Sequence, residues 1–144
     1  METTLPPHPK KSYARIFAAI ARYVLGLPLL VFGLNMFFNF IPQPKMELPP
    51  GAVAFSTALI NSGYMMPMIG VTFLLVGVML VTNRFVPLAL ALFAPFMVNS
   101  ILFHACLEHT GLPMAAVFLA LELFLAWSYR SAFRSMLASR VTPG

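Results

Sequence analysis

Four long apolar runs, separated by short polar or proline-rich breaks, set the pattern of this chain. The first covers 16–41 and stops at Pro42, which cannot continue a helix. Pro28 lies inside it and predicts a kink. The stretch from Pro42 to Pro50 is proline-dense and reads as an exposed loop. Apolar character then holds for 30 residues, Ala52 to Val81. One straight helix of that length would reach about 45 Å, against a hydrocarbon core of about 30 Å. The triplet Asn61-Ser62-Gly63 divides it into a short helix along the outer interface, Ala52 to Ile60, and a second span, 64–81. Thr82-Asn83-Arg84 leads into a third span, 86–107, and His109 to Pro113 leads into a fourth, 113–130. The predicted fold is all-α: a polytopic membrane four-helix bundle, a single membrane domain over 1–144, with a short interfacial helix between spans 1 and 2. Residues 1–12 predict a flexible tail, and the segment from Arg130 to Arg140 predicts a prolongation of the last helix.

Composition narrows the class. Of 144 residues, 60% are hydrophobic and 9% charged, with a mean hydropathy of +0.86, whereas soluble domains carry about 25% charged residues. No sizeable water-soluble domain fits. The net charge of +5 lies beside the apolar runs and forms no basic stripe, which argues against nucleic acid and for membrane orientation. With both termini cytoplasmic, Lys10, Lys11, Arg15, Arg22, Arg84, Arg130, Arg134 and Arg140 lie inside and only Lys45 outside. Eight against one sets four spans with both ends inside. Trp127 and Tyr129 mark the interfacial end of the fourth. Cys106 is the single cysteine, so there is neither an intrachain disulfide nor a redox dithiol; it reads as a small buried hydrophobe.

Polar residues inside the spans carry the candidate chemistry. Asn35 lies seven residues before Pro42, Asn99 nine before Glu108, and Glu122 nine after Pro113. All three are roughly 10–14 Å deep from the outer boundary. Asn39 and His104 lie nearer the surface. Asn35 and Asn39 share a helix face, as do Ser100 and His104. The expected result is a polar cleft opening outward, formed by Asn35, Asn39, Asn99, Ser100, His104 and Glu122 and ringed by Phe32, Phe38, Phe96, Phe103 and Phe118. A carboxyl at that depth costs about 2.5–3.5 kcal/mol on insertion scales, so Glu122 is expected as a neutral acid donating to Asn99 or Asn35. Packing register and ligand or proton handling both remain open as its role. His104 is expected to bond a facing amide. Haem is disfavoured, since His109 is in a loop and His8 on the other side, and no second ligand supports a metal site. Gly63, Gly70 and Gly77, seven residues apart, predict a close helix contact on the second span.

Five segments resemble the DoxX family of small four-span bacterial membrane proteins: Gly33 to Pro42, Ala58 to Tyr64, Arg84 to Leu90, Val98 to His104 and Glu122 to Arg130. Their order and spacing cover most of the chain from Arg15 to Met136. The resemblance implies a bacterial inner-membrane bundle, in some members associated with redox enzymes or quinone-linked oxidation. Where family members often carry an acidic residue in the second span, this chain offers Thr72. The expected function is an auxiliary membrane subunit that binds a lipophilic small molecule, a quinone being one candidate, in the outward cleft. It is expected to lack catalysis of its own and, if catalytic, to be an oxidoreductase subunit. Its expected partners are membrane lipids and either a membrane redox enzyme or a second copy. The rival expectation is a structural or assembly subunit packing against a larger enzyme without a ligand. Proton-coupled transport is disfavoured by the single buried acid.

Overall fold

The computed structural model describes residues 13–42, 45–140, 142 and 144; the expected tail, 1–12, lies outside them. Six helices follow in order: α1 (Tyr13–Phe38), α2 (Pro50–Asn61), α3 (Met65–Val81), α4 (Val86–Cys106), α5 (Leu112–Ser128) and α6 (Arg130–Phe133). No strand occurs among the described residues. Helices α1 and α4, with 26 and 21 residues, are long and apolar enough to cross a membrane. Helices α2 and α3 meet that test only as a pair, bent by 87° at their junction, and α5 is apolar but has 17 residues.

The helix ends follow from local chemistry. Helix α1 stops three residues before the expected Ile41, because Asn39 turns into the left-handed region at φ +47°. Asparagine tolerates that conformation better than its apolar neighbours would. Asn35 secures the exit: its Oδ1 accepts from the Ile41 N–H at 2.7 Å. Between α2 and α3, Gly63 takes φ +75° while the Ser62 hydroxyl accepts from the Met65 N–H at 3.1 Å and donates to the Leu59 carbonyl. Gly63 therefore serves the right-angle turn and leaves the expected glycine stripe; a Cβ placed on it would meet nothing. Pro28 and Pro95 lie within continuous helices. The expected prolongation to Arg140 fails: α5 ends at Ser128, Tyr129 interrupts it, and helix resumes only as far as Phe133.

Helix α1 packs on α3 and α5, and α4 packs on the same two, so the four long helices close a ring. The centre is filled by Leu25, Leu29, Val76, Leu80, Ala89, Phe93 and Leu125, all nearly inaccessible. The tightest seam joins α1 to α3. A Cβ on Gly77 would come within 2.8 Å of Leu30 and 3.1 Å of the Gly26 carbonyl oxygen; one on Gly33 would meet Leu74 at 2.9 Å and the Gly70 oxygen at 3.2 Å. Gly26 and Gly33 thus answer Gly77 and Gly70 at the same seven-residue spacing, antiparallel. Helix α2 lies over the end of α4, with Phe55 on Phe103 (ring centres 5.5 Å apart), Gly51 where a Cβ would come within 3.1 Å of Leu107, and Ala52 fully buried. At the opposite end the Tyr129 hydroxyl donates to Asn83 Oδ1 at 3.0 Å, tying α5 to the α3–α4 turn.

The outer faces of this ring are apolar. Phe17, Val24, Val31, Leu75, Leu92 and Val117 are each roughly half exposed, on every long helix. Such a continuous apolar exterior is the surface of a membrane protein, matched to acyl chains and not to water.

The glycine seam yields a direct test. Gly77→Leu is expected to destabilise the purified protein by about 1–3 kcal/mol, the usual range for overpacking, because the Gly26 backbone cannot move aside as a side chain can. Val78→Leu, on an exposed position of the same helix, should leave the melting temperature unchanged. Equal small shifts for both would mean that α1 and α3 do not meet at these glycines.

Candidate functional site

Two cavities flank α4 near the end where α2 and the α4–α5 loop lie. The first, about 260 Å³, lies toward α1 and α5 and is walled by Leu29, Phe32, Phe93, Met97, Met114 and Phe118. The second, about 250 Å³, lies toward α2 and α3, among Met36, Phe55, Leu59, Ile69 and Phe103. Phe96, Ser100 and His104, one turn apart along one face of α4, border both. Phe96 is held by edge-to-face contact with Phe73 at 4.6 Å and stacking on Phe93 at 5.6 Å. The shared wall is thus rigid and aromatic, with one hydroxyl and one imidazole in it.

His104 owes its position to the loop that follows its helix. The loop residue Glu108 is buried, and its carboxylate accepts from the Thr110 hydroxyl, the Thr110 N–H at 2.7 Å, the Gly111 N–H at 3.0 Å and His104 Nδ1 at 2.9 Å. The Thr110 hydroxyl above all, then these N–H groups and His104, hold its carboxyl down at about 2 despite burial. An ionised carboxylate only accepts, so His104 must carry its proton on Nδ1, leaving Nε2 as its remaining polar atom. Gly111 completes the arrangement: any Cβ there would collide with the imidazole ring. The expected facing amide is therefore replaced by a carboxylate from the same helix end. Sequence reading passed over Glu108 because a charged residue at a helix end looks solvent-exposed. The signal that could have found it is the run Glu108-His109-Thr110-Gly111, which places two N–H donors and a hydroxyl within reach of one acid.

The remaining cleft candidates divide. Ser100 and His104 are brought together as expected, and Phe103 and Asn99 line the α2-side cavity. Of the expected aromatic ring, Phe32, Phe96 and Phe118 line the α5-side cavity, while Phe38 is 72% exposed at the end of α1. Asn35 is engaged at the α1 exit and Asn39 is exposed there; neither lines the two cavities. Glu122 is buried on the Ala115–Phe118–Glu122–Leu125 face of α5, one turn beyond Phe118, and its Oε1 has no hydrogen-bond partner. The expected bond to Asn99 or Asn35 is not made. Cys106, expected to be buried, is exposed at the last residue of α4. Among the described residues no group of three or more His, Cys, Asp or Glu could hold a metal ion. No protein-family model, curated protein or solved structure matches this chain.

The Glu108 cluster has a pH signature. A carboxyl held below its ordinary value of 4.5 contributes stability that is complete above that pH and is lost as pH falls toward about 2. The melting-temperature difference between wild type and Glu108→Gln is expected to be constant above pH 4.5 and to shrink below it. A difference that persists unchanged to pH 2 would show that the carboxylate is not held by these donors.

Proposed function

We propose that this chain is a four-span helical membrane protein of the bacterial inner membrane that binds a lipophilic small molecule in the paired cavities around Ser100 and His104. One observation carries the reading: two adjoining, aromatic-walled cavities share a wall with only a hydroxyl and an imidazole in it. Few, fixed polar groups in an apolar wall are the usual make-up of a small-molecule site, and the joint volume suits a ring system of modest size. A planar quinone headgroup flanked by phenylalanine rings is the chemical class that fits: the Ser100 hydroxyl can donate to a ring carbonyl, and His104 Nε2, with the proton on Nδ1, can accept from a hydroxyl of the reduced form. Redox change would then reside in the ligand or in a partner enzyme, in keeping with the DoxX resemblance. The positive-inside bias orients the cavities toward the outer face, with both termini in the cytoplasm.

Glu122 lines neither cavity but lies one turn beyond Phe118, which borders the first. An apolar enclosure offers its free oxygen nothing, and an unsatisfied buried polar atom costs about 1–3 kcal/mol. A group kept at that cost serves a ligand or trapped water better than it serves packing. The rival reading, an assembly subunit without a ligand, draws on the glycine stripe of the second span and the near absence of soluble surface; Gly70 and Gly77 meet α1 within the chain, so only the second of these favours it.

Two measurements test the proposal. A reporter fused after Gly144 should be cytoplasmic and one inserted beside Lys45 periplasmic; a periplasmic C-terminus would remove the four-span reading. For the ligand, native mass spectrometry of protein incubated with a short-chain ubiquinone should show a one-to-one adduct. Ser100→Phe, which fills the shared wall, should lower it about tenfold. Glu122→Leu should melt no lower than wild type, since no amide faces the carboxyl, yet retain less quinone. An adduct insensitive to both substitutions would mean that the quinone lies on the lipid-facing surface.

A further inference from the structure

At the end opposite the cavities, α1 and α5 part around a groove of about 930 Å³. Arg15 and Arg22 reach it from α1, and Trp127 and Arg130 from the α5–α6 end. Among the described residues no carboxylate lines it: Glu47, Glu108 and Glu122 lie elsewhere. Arg22 is more than nine-tenths buried. Its Nη1 donates to the Leu80 carbonyl at 3.3 Å, a long contact on the last turn of α3, and its Nε is buried without any partner. Among the described residues no acid pairs with this guanidinium, and the single ion pair among them joins His104 to Glu108.

A buried cation with an unused donor, in a groove with two further arginines, lacks an anion. Capping the carbonyl end of α3 accounts for Nη1 and leaves Nε unexplained. The groove also selects the kind of anion. Its rim is formed by Phe17, Phe124 and Trp127, between 40% and 69% exposed and continuous with the apolar exterior. A soluble phosphate has no use for such a rim, whereas the acyl chains of a phospholipid would lie along it. The Arg130 guanidinium already stacks on Trp127 at 4.8 Å, the arrangement that keeps a cation at headgroup level. We infer that the groove between α1 and α5 is a binding site for an anionic phospholipid, whose headgroup phosphate pairs with the Arg22 guanidinium with Arg15 and Arg130 at its edge.

The site is independent of the quinone proposal, being at the other end of the helices. The test uses the full chain in nanodiscs of phosphatidylcholine containing a minor fraction of phosphatidylglycerol, with retained lipid counted by native mass spectrometry. Phosphatidylglycerol should be retained in preference to phosphatidylcholine. Each arginine near an anionic headgroup is worth about a fivefold change in affinity. Arg22→Gln, which keeps an amide donor for the Leu80 carbonyl, should therefore lower retained phosphatidylglycerol about fivefold. Arg15→Gln, on an exposed position where folding is not at stake, should lower it comparably. Inorganic phosphate in millimolar excess should leave the lipid in place. Equal retention of the two lipids, phosphatidylglycerol binding indifferent to both substitutions, or its displacement by inorganic phosphate would overturn the assignment.

Discussion

The close approach of α1 and α3 is the contact on which the rest of the architecture depends. In a membrane the hydrophobic effect does not press helices together, so packing has to come from surfaces that fit at short range. Gly26, Gly33, Gly70 and Gly77 provide such a surface, each leaving a gap into which Leu30, Phe37, Leu74 or Leu80 fits. Two helices held this closely form a rigid slab. Helices α4 and α5 then complete the ring through larger side chains, Phe93 and Leu125 among them.

The unequal packing accounts for where empty space lies. Small residues fill the α1–α3 seam to contact, while bulky phenylalanines on α4 and α5 cannot interdigitate as tightly. The cavities consequently flank α4, and their shared wall carries Ser100 and His104. The right-angle bend at Gly63 brings α2 over this end, so that Phe55 and Phe103 close one cavity from above. The Glu108 loop fixes the imidazole from the other side. Its polar atoms are satisfied by donors within four residues, so the cluster needs nothing from the neighbouring helices.

Two ionisable groups stand outside this self-sufficiency. Glu122 and Arg22 are both buried, and both leave a polar atom unpaired. They belong to different levels of the ring and do not pair with each other. In a chain that satisfies almost every other buried polar atom, such exceptions mark positions where something other than packing sets the residue type. The glutamate lies one turn beyond Phe118 on α5, and the arginine lines the groove at the opposite end of the helices from the cavities.

Amino-acid order alone determined the apolar runs, the break at Asn61-Ser62-Gly63 and the placement of Ser100 and His104 on one face, because length, turn chemistry and helical period act within a few residues. It also marked Gly70 and Gly77 as a contact surface, but could not identify what met them. Gly26 and Gly33 are separated from them by more than thirty residues, and only the antiparallel pairing of α1 with α3 brings the two sets into register. The Asn35–Asn99–Glu122 cluster failed for the corresponding reason. Depth along a helix can be counted from its end, but rotation about the axis is settled by packing. Asn35 was taken by the α1 exit, Asn99 turned to the α2 side, and Glu122 was left facing apolar neighbours. Tertiary structure alone decided these azimuths, because in lipid they depend on which surfaces fit most closely, and that is a property of pairs of helices.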